Sequence, residues 1–301
     1  MKDETKKIGG MEDTSAFLSM RPDTPSDAML HRIREKLEDV EREYGVHILY
    51  ACESGSRAWG MASADSDCDV RFVYVRPVEH YLCVEPDHEP DVIECGVVET
   101  PDGVLDCNGW DVRKALRLLL RSNSSLQDWL ASPIVYRCDG KFAPQVRELS
   151  ERVVSKLRLW HHFRSLRDKS LHGFPLRPTA KLWLYAFRAQ LGMLWLEQER
   201  GLPPSDMEGL CSALPEERPE LRAELSSAIA AKRLGHEADS DFVPPAGLEA
   251  LLREQRAKEA ASGNVRTFAW TIPALAESHL PDVKPDVRRE VDEVFRSALR
   301  W

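Results

Sequence analysis

Residues 53–76 read Glu-Ser-Gly-Ser-Arg-Ala-Trp-Gly-Met-Ala-Ser-Ala-Asp-Ser-Asp-Cys-Asp-Val-Arg-Phe-Val-Tyr-Val-Arg, and this stretch decides the fold. Just upstream, residues 46–52, Val-His-Ile-Leu-Tyr-Ala-Cys, are apolar and β-branched enough for a buried strand. Gly55 then permits a tight turn and a close backbone approach, because it carries no Cβ. Ser56 adds a hydroxyl, and the amides after it can form an anion-binding nest. Arg57 is placed to add a phosphate contact. Residues 69–75 read as a second strand. Alternation along it puts Asp67 and Asp69 on one face. Two carboxylates that close repel one another unless a cation lies between them. Mg²⁺ suits the position, since it takes one or two carboxylates and fills its other sites with water and phosphate oxygens. A Gly-Ser turn at one end and Asp-x-Asp at the other thus fit a metal-bound triphosphate.

A calcium loop is the rival for Asp65-x-Asp67-x-Asp69. It requires Gly at the sixth position and Glu at the twelfth, where this chain has Val70 and Arg76. A solvated polar turn is the other rival, and the Gly-Ser turn with its two flanking strands argues against it. A third carboxylate comes from residues 104–107, Val-Leu-Asp-Cys, read as a short strand. Asp106 within it is costly unless paired, so it joins the site. Asp111 opens a helix over Trp110–Arg121, where an acidic residue complements the helix dipole.

These residues resemble the DNA polymerase β superfamily of nucleotidyltransferases, and more closely its predicted-nucleotidyltransferase branch linked to RNA-repair ligase systems. The similarity runs through Glu53–Arg76, Asp106–Lys114, Leu116–Tyr136 and Lys181–Trp195. The superfamily's Gly-Ser motif falls on Gly55 and Ser56, its Asp-x-Asp on Asp67 and Asp69, and its third strand carboxylate on Asp106. The resemblance implies two Mg²⁺ ions (or Mn²⁺) held by Asp67, Asp69 and Asp106, an NTP substrate, and transfer of its NMP to an acceptor hydroxyl with release of pyrophosphate. It points to an RNA end as the acceptor and to an RNA ligase pathway as the setting. A protein or small-molecule acceptor, or a non-catalytic RNA- or nucleotide-binding module on the same scaffold, is the alternative, because fold does not fix substrate.

Composition agrees with a cytoplasmic enzyme. With 301 residues, 43% of them hydrophobic, the chain has room for two domains and a real core. No signal peptide or membrane-length apolar run is present. The seven cysteines include no Cys-x-x-Cys pair, so reduced thiols are expected rather than a zinc knuckle.

A net charge of −9 argues against an indiscriminate polyanion binder. Residues 151–190 nevertheless carry nine Lys and Arg side chains against Glu151 and Asp168, a candidate basic face for triphosphate or RNA. Within it, residues 179–199 predict a long helix that starts at Thr179 after Pro178. Lys181, Tyr185 and Arg188 share one stripe. Lys181 and Arg188 are expected on phosphates and Tyr185 under a base.

The fold class expected is α+β: a small mixed sheet flanked by helices (the palm, 25–140), then a helical C-terminal domain (141–301), with a mobile N-terminal segment (1–24). Further elements predicted are a helix over 26–44 capped by Ser26, a strand over 90–99, and helices near 142–170, 216–233, 245–262 and 284–300.

Overall fold

The computed structural model describes residues 23–84, 90–174, 176, 179–235, 241–261, 269, 271–276 and 283–300. The expected mobile segment 1–24 falls almost wholly outside these residues. Helix α1 (Asp27–Tyr44) opens the described chain; the Ser26 hydroxyl accepts from the Met29 amide, and Gly45 ends the helix in the left-handed region. Met29, Ile33, Leu37 and Val40 bury one stripe of α1, the 3–4 spacing that a core-facing helix requires.

Strand β1 (His47–Ser54) leads through a short helix α2 (Gly55–Ala58) to β2 (Cys68–Val75). After α3 (Val78–Tyr81), the hairpin β3 (Val92–Thr100) and β4 (Gly103–Asp111) adds to the sheet. Helices α4 (Val112–Leu120) and α5 (Ser124–Leu130) follow, then β5 (Val135–Cys138). The sheet order is β3-β4-β2-β1-β5. It is mixed: β2 and β4 run parallel, and the other pairs are antiparallel.

Strand β2 shows how the two faces are used. Val70, Phe72 and Tyr74 pack against α1 together with Leu105 and Cys107 of β4. Val73 and Val75 face the other way, into a core shared with α4, α5 and later helices. Asp69 and Arg71 belong to this second face by alternation, as does Asp106 on β4. The charged side chains therefore hold the end of the face nearest the start of β2, and the apolar core holds the rest.

The remaining described residues are mainly helical: α6 (Phe142–Val153), α7 (Lys156–Gly173), α8 (Ala180–Glu197), α9 (Met207–Leu210), α10 (Glu220–Leu234), α11 (Ala246–Ala261), α12 (Pro273–Ala276) and α13 (Pro285–Ala298). Helices α7 and α8 pack along one another, and α13 returns to pack on α4 and α6. One core cluster takes in Leu49 of β1, Trp160 of α7, Met193 of α8 and Val291 of α13. A second cluster joins α8, α10 and α11 around Trp183 and Phe187.

Two expected boundaries move. The single helix over 142–170 is two helices: Val154 is extended, and the Ser155 hydroxyl caps α7 by accepting from the Arg158 amide. The helix expected from Trp110 starts at Val112. Trp110 still belongs to β4, and Asp111 is the N-cap, accepting from the Arg113 amide at 2.8 Å. All seven cysteines are free thiols. Among the described residues, no helix is long and apolar enough to cross a membrane.

Candidate active site

The parallel register of β2 and β4 sets Asp69 opposite Asp106. Both carboxylates reach the same guanidinium: Arg71 Nη2 donates to Asp69 Oδ1 at 2.9 Å and to Asp106 Oδ2 at 2.7 Å. Arg71 Nη1 donates to the carbonyls of Val70 and Asp106, at 3.0 and 3.1 Å. Two half-buried like charges thus share one internal cation. Burial raises the Asp69 pKa; Arg71 opposes the rise, Asp106 and Asp67 add to it, and Lys181 works against it. The expectation left Arg71 without a role. Its signal was an arginine in an otherwise apolar strand, two residues after Asp69 and so on the same face.

Gly55 stands against this pair. Its φ is +63°, and a Cβ added there would lie 2.2 Å from Asp69 Oδ2. The glycine is required twice, by its left-handed backbone and by the carboxylate that fills its side-chain space. Ser56 follows, buried, in the first turn of α2.

Glu53 was also overlooked. Its side chain is fully buried at the end of β1; it accepts from the Asp69 amide at 2.8 Å and from the Tyr136 hydroxyl. Burial pushes its pKa up to about 7 against the lowering effect of these two donors. One carboxylate thereby ties β1 to the start of β2 and to β5, and fixes the backbone that carries Asp69.

Asp67 precedes β2 rather than lying in it, so strand alternation does not govern it, and it is exposed. Arg57 braces its loop by donating from Nε to the Asp67 carbonyl at 3.0 Å and from Nη2 to the Ser66 carbonyl at 2.7 Å. The phosphate contact expected of Arg57 thus competes with a bracing role. Among the described residues, no group of three or more His, Cys, Asp or Glu side chains converges as a metal-binding cluster. The oxygens of Asp67, Asp69 and Asp106 are hard donors of the kind Mg²⁺ takes. Asp69 and Asp106 lie side by side, with Arg71 in the place between them.

The stripe expected on α8 divides. The charge of Lys181 is felt at Asp69, and its Nζ lies 5.9 Å from the centroid of the Tyr185 ring. Tyr185 meets Trp59 edge-on, at 4.9 Å between centroids. Arg188 corrects the expectation of a phosphate contact. It is 3% exposed, donates to Asp128 Oδ1 at 2.6 Å and to the Ser205 carbonyl at 2.8 Å, and lies 4.0 Å over the Trp59 ring. Burial on a helix turned toward other helices, with an acidic partner 60 residues away, accounts for the change. Part of the wider basic run is paired within the chain: Arg152 with Glu290, and Arg164 and Arg167 with Glu259.

A cavity of about 760 Å³ is lined by Arg57, Ala58, Gly60 and Ile134 on one side and by Met207 and the Arg222–Arg233 face of α10 on the other, and by none of Gly55, Asp67, Asp69 or Asp106. Its polar wall includes Asp23, held by Arg233 Nη2 at 2.6 Å.

The uncharacterized protein YcgL of Bacillus subtilis (strain 168) is 39% identical over 213 residues, which is 70% of this chain and 79% of that one. A crystal structure of a nucleotidyltransferase-like protein from Exiguobacterium sibiricum 255-15 is similar at 13% identity, spanning 89% of this chain and 92% of its own, with a TM-score of 0.28. The sequence profile of one family matches residues 29–268. By that match the chain belongs to the RNA repair pathway DNA polymerase beta family, RlaP.

Proposed function

We propose that this chain is a metal-dependent nucleotidyltransferase that moves an NMP from an NTP to an acceptor hydroxyl, an RNA end, and releases pyrophosphate. The observation that carries the reading is the pairing of Asp69 with Asp106 across parallel strands, directly against the Gly55 turn. In this reading Asp67, Asp69 and Asp106 hold Mg²⁺ or Mn²⁺. A metal held there would supply a lowered pKa at the acceptor hydroxyl and offset triphosphate charge. The chain's own part is positioning, which carries most of phosphoryl transfer. Glu53 fixes the Asp69 backbone through its amide. Arg57 fixes the loop of Asp67. Amides of the Gly55–Ser56 turn receive phosphate oxygens, and Lys181 adds a cation from α8. Trp59 and Tyr185 form an aromatic wall next to this turn, suited to a base.

A second reading is a nucleotide- or RNA-binding module that keeps the fold without the chemistry. Arg71 favours it: the guanidinium offsets one of the two charges of the Asp69–Asp106 pair without a metal, so an acidic pair does not by itself demand one. Incubation with each labelled NTP, Mg²⁺ or Mn²⁺, and RNA or no acceptor separates the readings. Label entering RNA with pyrophosphate release supports the proposal. Label on the protein or on a small molecule moves the acceptor. NTP or RNA binding without pyrophosphate release leaves the module.

A further inference from the structure

The Arg71 guanidinium sits where a cation shared by Asp69 and Asp106 would sit. Asp69 Oδ1 and Asp106 Oδ2 both point to its Nη2. The Arg71 side chain is 15% exposed, and the two carboxylates are 29% and 28% exposed. Two carboxylates against one guanidinium leave one negative charge uncompensated, which attracts a divalent ion. The guanidinium and that ion would compete for the same two oxygens, and crowding both between them sets positive charge against positive charge. The other half of the guanidinium is tied to the Val70 and Asp106 carbonyls. These bonds hold the side chain near the pair whether or not Nη2 stays on it.

We propose that Arg71 is a resident counter-ion: it holds Asp69 and Asp106 together in the metal-free chain, and a divalent cation binds by displacing its Nη2 from them. The inference rests on the reading of these two aspartates as metal ligands. It adds a positioning residue with a defined cost. Metal affinity is set below what the bare carboxylates would give, and the pair keeps its geometry before metal arrives.

The test uses the full chain with Mn²⁺ alone, without nucleotide. Mn²⁺ binding is measured by electron paramagnetic resonance for wild type, Arg71→Met and Arg71→Lys, with Asp69→Asn to locate the ion. Arg71→Met, which keeps an unbranched stem but loses every donor, is expected to bind Mn²⁺ about tenfold tighter, the equivalent of about 1.4 kcal/mol. Arg71→Lys, which keeps the charge without the fork, should fall between. Metal-free Arg71→Met should melt below wild type, and saturating Mn²⁺ should narrow the gap. If Arg71→Met does not fold, the wild-type chain decides: the Arg71 guanidinium resonances, followed by ¹⁵N NMR during a Mg²⁺ titration, should shift and lose exchange protection as Mg²⁺ binds. Unchanged or weaker Mn²⁺ binding by Arg71→Met overturns the inference, as do Arg71 resonances indifferent to Mg²⁺. Wild type that binds no divalent ion overturns both this inference and the metal-dependent reading. Wild type that binds Mn²⁺ with the expected Arg71 response but transfers no NMP leaves the counter-ion standing and removes the enzyme.

Discussion

Gly55 and Asp69 share one volume: the carboxylate oxygen Oδ2 occupies the space a side chain at residue 55 would need, 2.2 Å from the missing Cβ. The turn and the candidate ligand are therefore a single structural unit. Gly55→Ala must either displace the carboxylate or open the turn, on top of about 1–2 kcal/mol for a left-handed alanine. The expected result is a lowered urea midpoint together with loss of NMP transfer. Full transfer in a folded Gly55→Ala chain would separate the turn from the chemistry.

Asp69→Asn and Asp106→Asn should each reduce NMP transfer by about two orders of magnitude or more, because a lost metal ligand removes several kcal/mol of transition-state stabilisation. Each variant leaves Arg71 one carboxylate, so circular dichroism should still report a folded chain. Single-turnover rates on labelled NTP and RNA make the comparison. Turnover near wild type in either variant removes the proposed chemistry.

Arg188 and Lys181 should behave as opposites, although both lie on α8. Arg188→Ala leaves half-buried Asp128 and the Ser205 carbonyl without this partner. Breaking a fully buried pair costs about 3–5 kcal/mol, and less here because Asp128 is 25% exposed. Lys181→Ala should instead raise the KM for NTP about tenfold, the size of one charge-assisted hydrogen bond. Denaturation midpoints and steady-state kinetics on both variants check the assignment. A kinetic defect without destabilisation in Arg188→Ala would restore the phosphate role.

Glu197 gives the chain a pH dependence away from the site. It accepts from Trp160 Nε1 at 2.7 Å, and burial raises its pKa above 4.5 despite that bond. A carboxylate raised on folding favours the native state most below its unfolded pKa, and that contribution is lost as pH climbs through the raised value. Glu197→Gln should therefore gain on wild type as pH rises from 4 to 7, as read from urea midpoints across the range. A difference independent of pH would show that Glu197 is not the group responsible.

The strand-turn-strand at 46–75, the cap at Ser26, an acidic helix start at Asp111 and the Gly55 bend could be read from the sequence, because each is set by neighbours within a few residues. What escaped depends on distant partners. Arg71 has its meaning only once β4 lies parallel to β2 and brings Asp106 alongside. Arg188 read as a cleft residue because its helical stripe is polar; Asp128 and Ser205, 60 and 17 residues away, turn it inward. The basic run at 151–190 had the same weakness, since Glu259 and Glu290 lie far outside any local window. Glu53 was in view but silent: nothing in the sequence shows that its carboxylate meets a backbone amide 16 residues on.

Helix α13 carries a practical lesson. The family match stops at residue 268, yet Val287, Val291 and Val294 fill the same interior as Leu49, Val73 and Trp160. A fragment trimmed to the matched region would leave that interior open on one side, with the exposed apolar surface that invites aggregation. Expression work guided by homology alone would discard a wall of the building, and any inactivity of such a fragment would say nothing about the proposed activity.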